Sequence, residues 1–364
     1  MARLIGYQGE PILVRLAGSV EAARQYQENG LDALLIREGI AVLCQDGMTD
    51  TSYAVQGEIT WTEQDTVFVN GEGFLRLWFP FCEESQTLLI TNQCNSNCVM
   101  CPYSESFRRR AAHPNEHFLL RQIDYLPEHT SHLTITGGEP TLHTEAFFHV
   151  MERIRCERPG VHCLLLTNGR SFSLAGICQR AVHTFPQHTV AAVPLHAADA
   201  AVHDRITQTS DSFRQTLAGI GHLLSMQLAV EIRIVVMQQN VQEMTALADL
   251  IVTRFPTVQV VNFMAAEMCG NAAVHRDAVW IGYPEAFHAC REAVARLVEH
   301  GVDVGLYNFP LCSIPLQYRG LYRRSISGYK IVYGSICETC QEKNACGGVF
   351  ASALRYAEHQ MQAL

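Results

Sequence analysis

The sequence predicts an α/β protein built on a partial, TIM-like (β/α)6 barrel, with a β-rich module before it and a small cysteine-rich domain after it. Between about residues 85 and 305, short apolar strand-like runs alternate with helical stretches. Residues 1–84 carry short strand-like runs separated by Gly, Asp and Asn turns. After residue 306 the alternation stops and four cysteines follow. The predicted domains are therefore 1–84, 85–305 and 306–364.

The β-rich module is predicted to contain six short strands and one helix. The helix covers residues 19–29 with Ser19 as its N-cap. The module has neither the spacing of metal ligands nor a phosphate-binding loop, so two roles stay open for it: docking of a substrate peptide, and packing against the barrel edge. The predicted strands are 11–16, 33–36, 40–43, 58–61, 66–69 and 74–78.

The barrel is predicted from six strand–helix units, which imply a parallel sheet with right-handed crossovers. Six units are too few for a closed eight-stranded barrel, so a partial barrel fits better. A last helix, 350–362, is expected to close the chain. The predicted barrel strands are 87–91, 133–136, 163–167, 189–195, 230–237 and 258–264, and the helices are 118–126, 144–158, 174–184, 212–224, 241–255 and 284–300.

The composition excludes several classes of protein. The 364 residues carry 27 Lys+Arg against 36 Asp+Glu, and this net charge of −9 argues against broad binding to nucleic acid. The basic run Arg108-Arg109-Arg110 is expected to lie in a solvated loop. No apolar run approaches the roughly 20 residues that a membrane span needs, and the first residues do not form a signal peptide. A cytoplasmic protein is expected, in which clustered cysteines favour metal binding over disulfides.

Three cysteines, Cys94, Cys98 and Cys101, lie within eight residues directly after the first predicted barrel strand. Polar turn-forming residues at 95–97 let one tight loop aim three sulfurs at one point. Iron–sulfur clusters are commonly held by four cysteines, one for each iron. Three thiolates would leave one iron open to bind a substrate. The alternative is a set of buried or zinc-binding cysteines.

A second motif, Gly137-Gly138-Glu139-Pro140, ends the next predicted strand. Its glycines let the backbone approach a ligand closely, and Glu139 supplies a charge. Alone it would be a Gly-Gly turn with an exposed acid. Together with the C-x3-C-x2-C spacing it resembles the radical S-adenosylmethionine (SAM) superfamily. In that family the open iron of a 4Fe–4S cluster binds the amino and carboxylate groups of SAM, and the GGEP motif binds the SAM amino group.

The resemblance implies further cofactor contacts. Met100 replaces an aromatic residue that many relatives carry near the adenine of SAM, and Asn168 corresponds to a polar residue that lines the barrel top. His196 stands where the family often has a serine that contacts the ribose. Arg233 lies in an apolar strand and needs a partner, which is expected to be the SAM carboxylate. The alternative partner is Glu231, two residues earlier on the same face of the strand.

Several further residues are weaker candidates for the site, and most of them have a simpler structural explanation. Asn240, just past the strand that contains Arg233, is a weaker candidate for contact with SAM. Glu267 is a possible substrate contact or a solvated acid, and Cys269 is a possible hydrogen-atom donor or an inert thiol. The pair His203-Asp204 resembles one found in peptide-modifying relatives, but helix capping by Asp204 explains it more simply.

The second cysteine set consists of Cys312, Cys337, Cys340 and Cys346. Its spacing suits zinc or a closed iron–sulfur cluster, and spacing alone does not separate the two. Peptide-modifying relatives often carry an auxiliary 4Fe–4S cluster in a C-terminal extension, so the resemblance implies such a cluster here.

Within the superfamily, residues 89–94, 194–196, 267–268, 307–312 and 346–348 resemble the radical SAM maturase of the His-Xaa-Ser peptide system (HxsC type). The resemblance implies that SAM is cleaved to methionine and a 5′-deoxyadenosyl radical, which abstracts hydrogen from a ribosomally made peptide. The implied partners are that peptide and a reductant such as flavodoxin or ferredoxin. The alternatives are a radical SAM enzyme acting on a small molecule or nucleoside, and a non-catalytic iron–sulfur or zinc scaffold.

Overall fold

The structure is a computed structural model that describes residues 2–45 and 50–364. Its first sheet has the strand order β1-β5-β4-β3-β2-β6-β7. One helix, α1 (Val20–Glu28), accompanies this sheet. The strands are β1 (Arg3–Ile5), β2 (Ile12–Ala17), β3 (Ala33–Arg37), β4 (Ile40–Cys44), β5 (Thr51–Gln56), β6 (Thr66–Val69) and β7 (Leu75–Phe79).

The ends of this sheet meet, so the module is a small closed barrel. Arg3 forms a β-bridge with Phe74, and the N–H of Leu75 donates to the carbonyl of Ala2 at 2.9 Å. The predicted N-cap is confirmed, because Ser19 Oγ accepts the N–H of Ala22. The predicted strand 58–61 is wrong. The chain pairs through β5 instead, a half-exposed strand whose polar residues gave a weak apolar signal.

The module packs against the larger domain through one helix, α3 (Glu116–Asp124), and the residue after it. Arg15 Nη2 donates to the carbonyl of Tyr125 at 2.8 Å, and Trp78 Nε1 donates to Gln122 Oε1 at 3.0 Å. These contacts support the packing role that the sequence left open. Peptide docking by this module stays a prediction.

The second sheet has eight parallel strands, β8 to β15, arranged in chain order. The fold is therefore α/β with a curled half-barrel sheet, and all six predicted strands are confirmed. The strands are β8 (Ser85–Thr91), β9 (His132–Gly137), β10 (His162–Leu166), β11 (His188–Pro194), β12 (Ala229–Val236), β13 (Val260–Ala265), β14 (Asp303–Tyr307) and β15 (Tyr322–Arg323).

The last two strands escaped the sequence analysis because β14 is short and contains a glycine, and β15 has only two residues. The predicted boundary at 305/306 therefore lies inside β14, and the sheet continues beyond it. The helices of this part, besides α3, are α2 (Glu105–Arg110), α4 (Thr144–Glu157), α5 (Ala175–Thr184), α6 (Ala200–Thr207), α7 (Ser212–Ser225), α8 (Met244–Arg254), α9 (Asn271–Val274), α10 (Arg276–Val279) and α11 (Tyr283–Glu299).

The two faces of the half-barrel sheet differ in chemistry. On β12, Val230, Ile232 and Ile234 are fully buried in the main apolar core. Because successive side chains of a strand alternate between faces, Glu231 and Arg233 point to the opposite, inner face. Polar groups at the strand ends and on this inner face are therefore the candidates for chemistry.

The C-terminal part contains a short antiparallel pair, β16 (Ile331–Val332) and β17 (Val349–Phe350), and one helical turn, α12 (Leu354–Ala357). The predicted helix 350–362 is confirmed only as short turns, α12 and the 3₁₀ turn Glu358–Gln360, because Phe350 pairs with Ile331 in this small sheet. In the described ranges, no helix has both the length and the apolar character that a membrane crossing requires.

Candidate functional site

The first cysteine set lies on a loop, residues 92–101, that follows β8 directly; we call it the cysteine loop. Burial, with smaller contributions from the neighbouring thiols of Cys94 and Cys101, raises the pKa of the Cys98 thiol to about 12. Burial likewise raises the pKa of Cys94. The three thiols thus share one loop at the edge of the sheet where the parallel strands end.

Two arginines hold the cysteine loop. Arg108 donates from Nη1 to the carbonyl of Ser96 and from Nη2 to Asn97 Oδ1. Arg170 Nη1 donates to the carbonyl of Asn95 at 2.8 Å. The prediction of a solvated basic run is wrong for Arg108, which is only 6% exposed. The run lies on α2, a short helix that the sequence analysis missed.

The loop after β13 also contacts the cysteine loop. The N–H of Asn271 donates to the carbonyl of Cys101 at 2.9 Å, and Asn271 Nδ2 donates to the carbonyl of Cys98 at 3.1 Å. Gly270 has φ +56°, and a Cβ there would lie 2.3 Å from the carbonyl oxygen of Pro102. Only glycine fits this approach. The dipeptide Gly270-Asn271, which is typical of a turn, is the sequence signal that could have indicated this contact.

The glycines of the second motif serve chain packing. The N–H groups of Gly138 and Glu139 donate to the carbonyls of Thr91 and Gln93 at 2.7 and 2.8 Å. A Cβ at Gly137 would lie 2.4 Å from the oxygen of Thr91, and one at Gly138 would lie 2.2 Å from that of Gln93. The motif therefore forms a base for the cysteine loop.

Glu139 is fully buried, unlike the exposed acid or ligand-facing charge that the sequence suggested. Its carboxylate accepts from Thr141 Oγ1 at 2.7 Å, Thr167 Oγ1 at 2.8 Å and the N–H of Asn168 at 2.6 Å. Burial raises its pKa, and these hydrogen bonds oppose that effect. The side chain therefore ties β9 to the end of β10. Pro140, also buried, starts the 3₁₀ turn that follows.

Asn168 and His196 occupy different environments. Asn168 Nδ2 donates to Asn95 Oδ1 at 2.7 Å, so its amide lies beside the cysteine loop. His196 is fully buried, in contrast to the ribose contact that the resemblance implied. Its two ring nitrogens have no hydrogen-bond partner among the described residues, and its ring stacks on that of His203 at 5.8 Å. Asn240 Nδ2 donates to the carbonyl of His196.

Arg233 pairs with Glu231, the alternative that the sequence analysis placed second. Arg233 Nε donates to Glu231 Oε1 at 2.6 Å, and Asn262 Nδ2 donates to the same oxygen at 2.7 Å. The guanidinium thus already has a carboxylate partner inside the half-barrel. Met100 is partly buried and belongs to an apolar cluster with Met268.

Glu267 and Cys269 lie at the open end of the half-barrel. Lys330 Nζ donates to Glu267 Oε2 at 3.0 Å, so the acid is paired and not simply solvated. Cys269 Sγ donates to the carbonyl of Pro102 at 3.5 Å. Burial, followed by the charge of Glu267, raises the pKa of Cys269 to about 11, which disfavours its thiolate.

The second cysteine set lines one cavity. The N–H groups of Leu311 and Gly348 donate to Cys346 Sγ at 3.3 and 3.4 Å, and that of Leu364 donates to Cys340 Sγ at 3.4 Å. Burial raises the pKa of the other two thiols, Cys312 and Cys337. Main-chain N–H groups at 362 and 334 partly offset that effect. Two of the four sulfurs, those of Cys340 and Cys346, thus accept hydrogen bonds from main-chain N–H groups.

The donor chemistry suits thiolate-bound clusters. Among residues 2–45 and 50–364, no three His, Cys, Asp or Glu side chains are grouped so as to hold a metal ion. In an iron–sulfur cubane each cysteine binds its own iron, so the sulfurs stand farther apart than around one zinc ion. Thiols that share a cavity and accept main-chain N–H groups fit that arrangement.

Residues 88–251 match the family model described as the Radical SAM superfamily. The matched stretch contains the cysteine loop, the 137–140 motif and most of the parallel strands. No curated protein matches the chain.

Several solved structures are similar in fold. SuiB of Streptococcus suis has a TM-score of 0.48 and 14% identity, covering 71% of this chain and 56% of that chain. SuiB bound to precursor peptide SuiA has a TM-score of 0.47 and 11% identity, covering 64% and 49%. The anSMEcpe structure with bound AdoMet and Kp18Cys peptide has a TM-score of 0.47 and 15% identity, covering 60% and 63%. This chain thus spans about half the length of the SuiB chains that it matches.

Proposed function

We propose that this chain, which carries a radical SAM superfamily domain over residues 88–251, is an enzyme that cleaves SAM reductively and abstracts hydrogen from its substrate. One observation carries the proposal. The three thiols of Cys94, Cys98 and Cys101 share one braced loop at the C-terminal end of the first half-barrel strand. In α/β barrels that end of the strands is where chemistry takes place.

In this proposal the three cysteines hold a 4Fe–4S cluster and leave one iron for SAM. When bound, the cluster and SAM together supply a 5′-deoxyadenosyl radical able to take hydrogen from an unactivated C–H bond. The protein contributes placement: the arginines and Asn271 fix the cysteine loop, and the buried Glu139 fixes the strand ends beside it. Such bracing orients the reacting groups.

The 137–140 motif suits an ammonium ligand. The N–H groups of Gly138 and Glu139 already donate to the chain, and the carbonyls of Glu139 and Pro140 already accept the N–H groups of Leu142 and His143. The acceptors that we assign to a ligand are therefore the carbonyl oxygens of Gly137 and Gly138. An ammonium group has donors only. We therefore assign this motif to the SAM amino group, with Met100 and Asn168 as neighbours of the cofactor. Arg233 is better assigned to Glu231 than to the SAM carboxylate.

We further propose that the substrate is a ribosomally made peptide and that the chain is a maturase of the His-Xaa-Ser type. The support is the second cysteine set, whose four thiols line one cavity and two of whose sulfurs accept main-chain N–H groups. We assign to it an auxiliary 4Fe–4S cluster. A small reductant protein such as flavodoxin or ferredoxin would supply the electron.

The function is tested on anaerobically reconstituted protein. We expect iron and sulfide to bind, and SAM to be cleaved to methionine and 5′-deoxyadenosine under a strong reductant. Deuterium transfer from a labelled His/Ser-rich peptide into deoxyadenosine would identify a peptide as the substrate. Transfer only from small molecules or nucleosides would instead identify one of these as the substrate. Full iron loading with no deoxyadenosine would mean a non-catalytic scaffold.

The auxiliary cluster is tested by Cys340→Ala. We expect this variant to lose about four irons per chain, the content of one cubane, while it keeps the cluster of the cysteine loop. Cys290→Ala, which changes a fully buried thiol on α11, is the control and should keep all its iron. Equal iron in the two variants would remove the auxiliary cluster from the proposal.

A further inference from the structure

The charge of Arg108 is buried without a carboxylate partner. The residue is 6% exposed, and its Nη atoms bond to neutral groups of Ser96 and Asn97. Its Nε is buried and has no partner among the described residues. Among residues 2–45 and 50–364, no Asp or Glu lies within ion-pair distance of Arg108. The adjacent Arg109, in contrast, is 79% exposed and pairs with Glu105 at 2.7 Å.

An isolated buried cation is costly, and neutral partners compensate it only in part. The guanidinium of Arg108 lies beside the cysteine loop, because its two hydrogen-bond partners, Ser96 and Asn97, stand between Cys94 and Cys98. Arg108 and Cys94 also line one cavity. The guanidinium therefore places a fixed positive charge next to the thiols of the cysteine loop.

The fold brings Arg108 back to the loop by a short helix. Ser104 caps α2 by accepting the N–H of Phe107 at 3.3 Å, three residues after the last cysteine of the loop. One helical turn further on, Arg108 reaches Ser96 and Asn97, two of the three residues between Cys94 and Cys98. The guanidinium is thus fixed at both Nη atoms, so its charge has a defined place.

We propose that Arg108 is a positioning residue that makes the cluster of the cysteine loop easier to reduce. The inference rests on the proposed function. The electron comes from the reductant and stays on the cluster, so reduction adds one negative charge to a site bounded by thiolates. A fixed cation beside these thiolates favours that charge, and the burial of Arg108 strengthens the effect.

The test is a reduction-potential titration of the reconstituted enzyme, followed by electron paramagnetic resonance. The Cys340→Ala background isolates the signal of the first cluster. At a fixed potential we expect Arg108→Gln to lower the ratio of reduced to oxidised cluster at least tenfold, which for one electron equals a shift of about 59 mV to more negative potential. Arg108→Lys, which keeps the charge, should stay within about threefold of the parent on the same scale. Arg109→Gln is the matched control and should not change the ratio.

A fully iron-loaded Arg108→Gln protein with the parent potential would overturn the inference. If the Arg108→Gln protein does not load iron, the Arg108→Lys protein decides. A reduction potential equal to that of the parent supports the role of the charge. A tenfold lower ratio of reduced to oxidised cluster in the iron-loaded Arg108→Lys protein overturns the inference. A parent protein that holds no cluster on Cys94, Cys98 and Cys101 would instead refute the proposed function, before any potential is compared.

Discussion

Replacing Cys98 by serine is expected to abolish SAM cleavage. Burial raises the pKa of the Cys98 thiol to about 12, which disfavours its thiolate unless a cation lies beside it. Serine would leave an iron without a soft anionic ligand. We expect deoxyadenosine formation to fall by at least about 10³-fold, an increase of about 4 kcal/mol in the barrier.

The measurement is deoxyadenosine per chain under a strong reductant, with iron and sulfide determined on the same sample. Cys163→Ser is a matched control, because Cys163 is also buried, its pKa is also raised to about 12, and it lies on the helix-facing side of β10. The control should keep its activity. Wild-type rates in Cys98→Ser would contradict the assignment of the cysteine loop.

The periodic part of the fold was accessible from the sequence, because each half-barrel strand buries one face under helices and repeats the same apolar signal. Irregular elements gave no such signal. β15 has two residues, and β5 is polar enough to be missed. The helix expected at 350–362 is present only in part for a different reason: tertiary pairing of Phe350 with Ile331 outweighed the helical pattern at its start.

The candidate site was predictable where chemistry depends on spacing within a few residues, as in the two motifs. The residues that brace it come from distant segments. Arg108 looked like one member of a solvated run, and only the fold shows that it turns inward. Asn271 reaches the cysteine loop from a segment 173 residues later than Cys98. Such contacts depend on the tertiary path of the chain, which no local pattern encodes.

Buried polar pairs likewise show that a local sequence pattern predicts contacts only between residues close in the chain. Glu231 was recognised as a partner for Arg233 because alternation places both on one strand face. His196 and His203 come from a strand end and from α6 (Ala200–Thr207), so their stacking could not be read from spacing. Their burial nevertheless has a measurable consequence for stability.

This histidine pair is expected to make the protein sensitive to acid. Burial lowers the pKa of His196 to about 3, with a smaller contribution from His203. Burial lowers the pKa of His203 to about 4, although Asp204 acts in the opposite direction. Between these values and about 6.5, the unfolded chain binds protons that the folded chain does not. Stability is therefore unaffected above about pH 6.5 and falls as the pH drops below it.

At pH 5 each histidine should reduce the free energy of unfolding by roughly 2 kcal/mol relative to pH 8. The measurement is denaturant unfolding at both pH values, with cluster content matched. His196→Leu should lose about 2 kcal/mol less than the parent between pH 8 and pH 5. His183→Gln, on the exposed side of α5, should keep the parent's loss. Comparing differences between two pH values cancels the packing cost of each substitution. An unchanged loss in His196→Leu would show that the ring does not stay neutral in the folded protein.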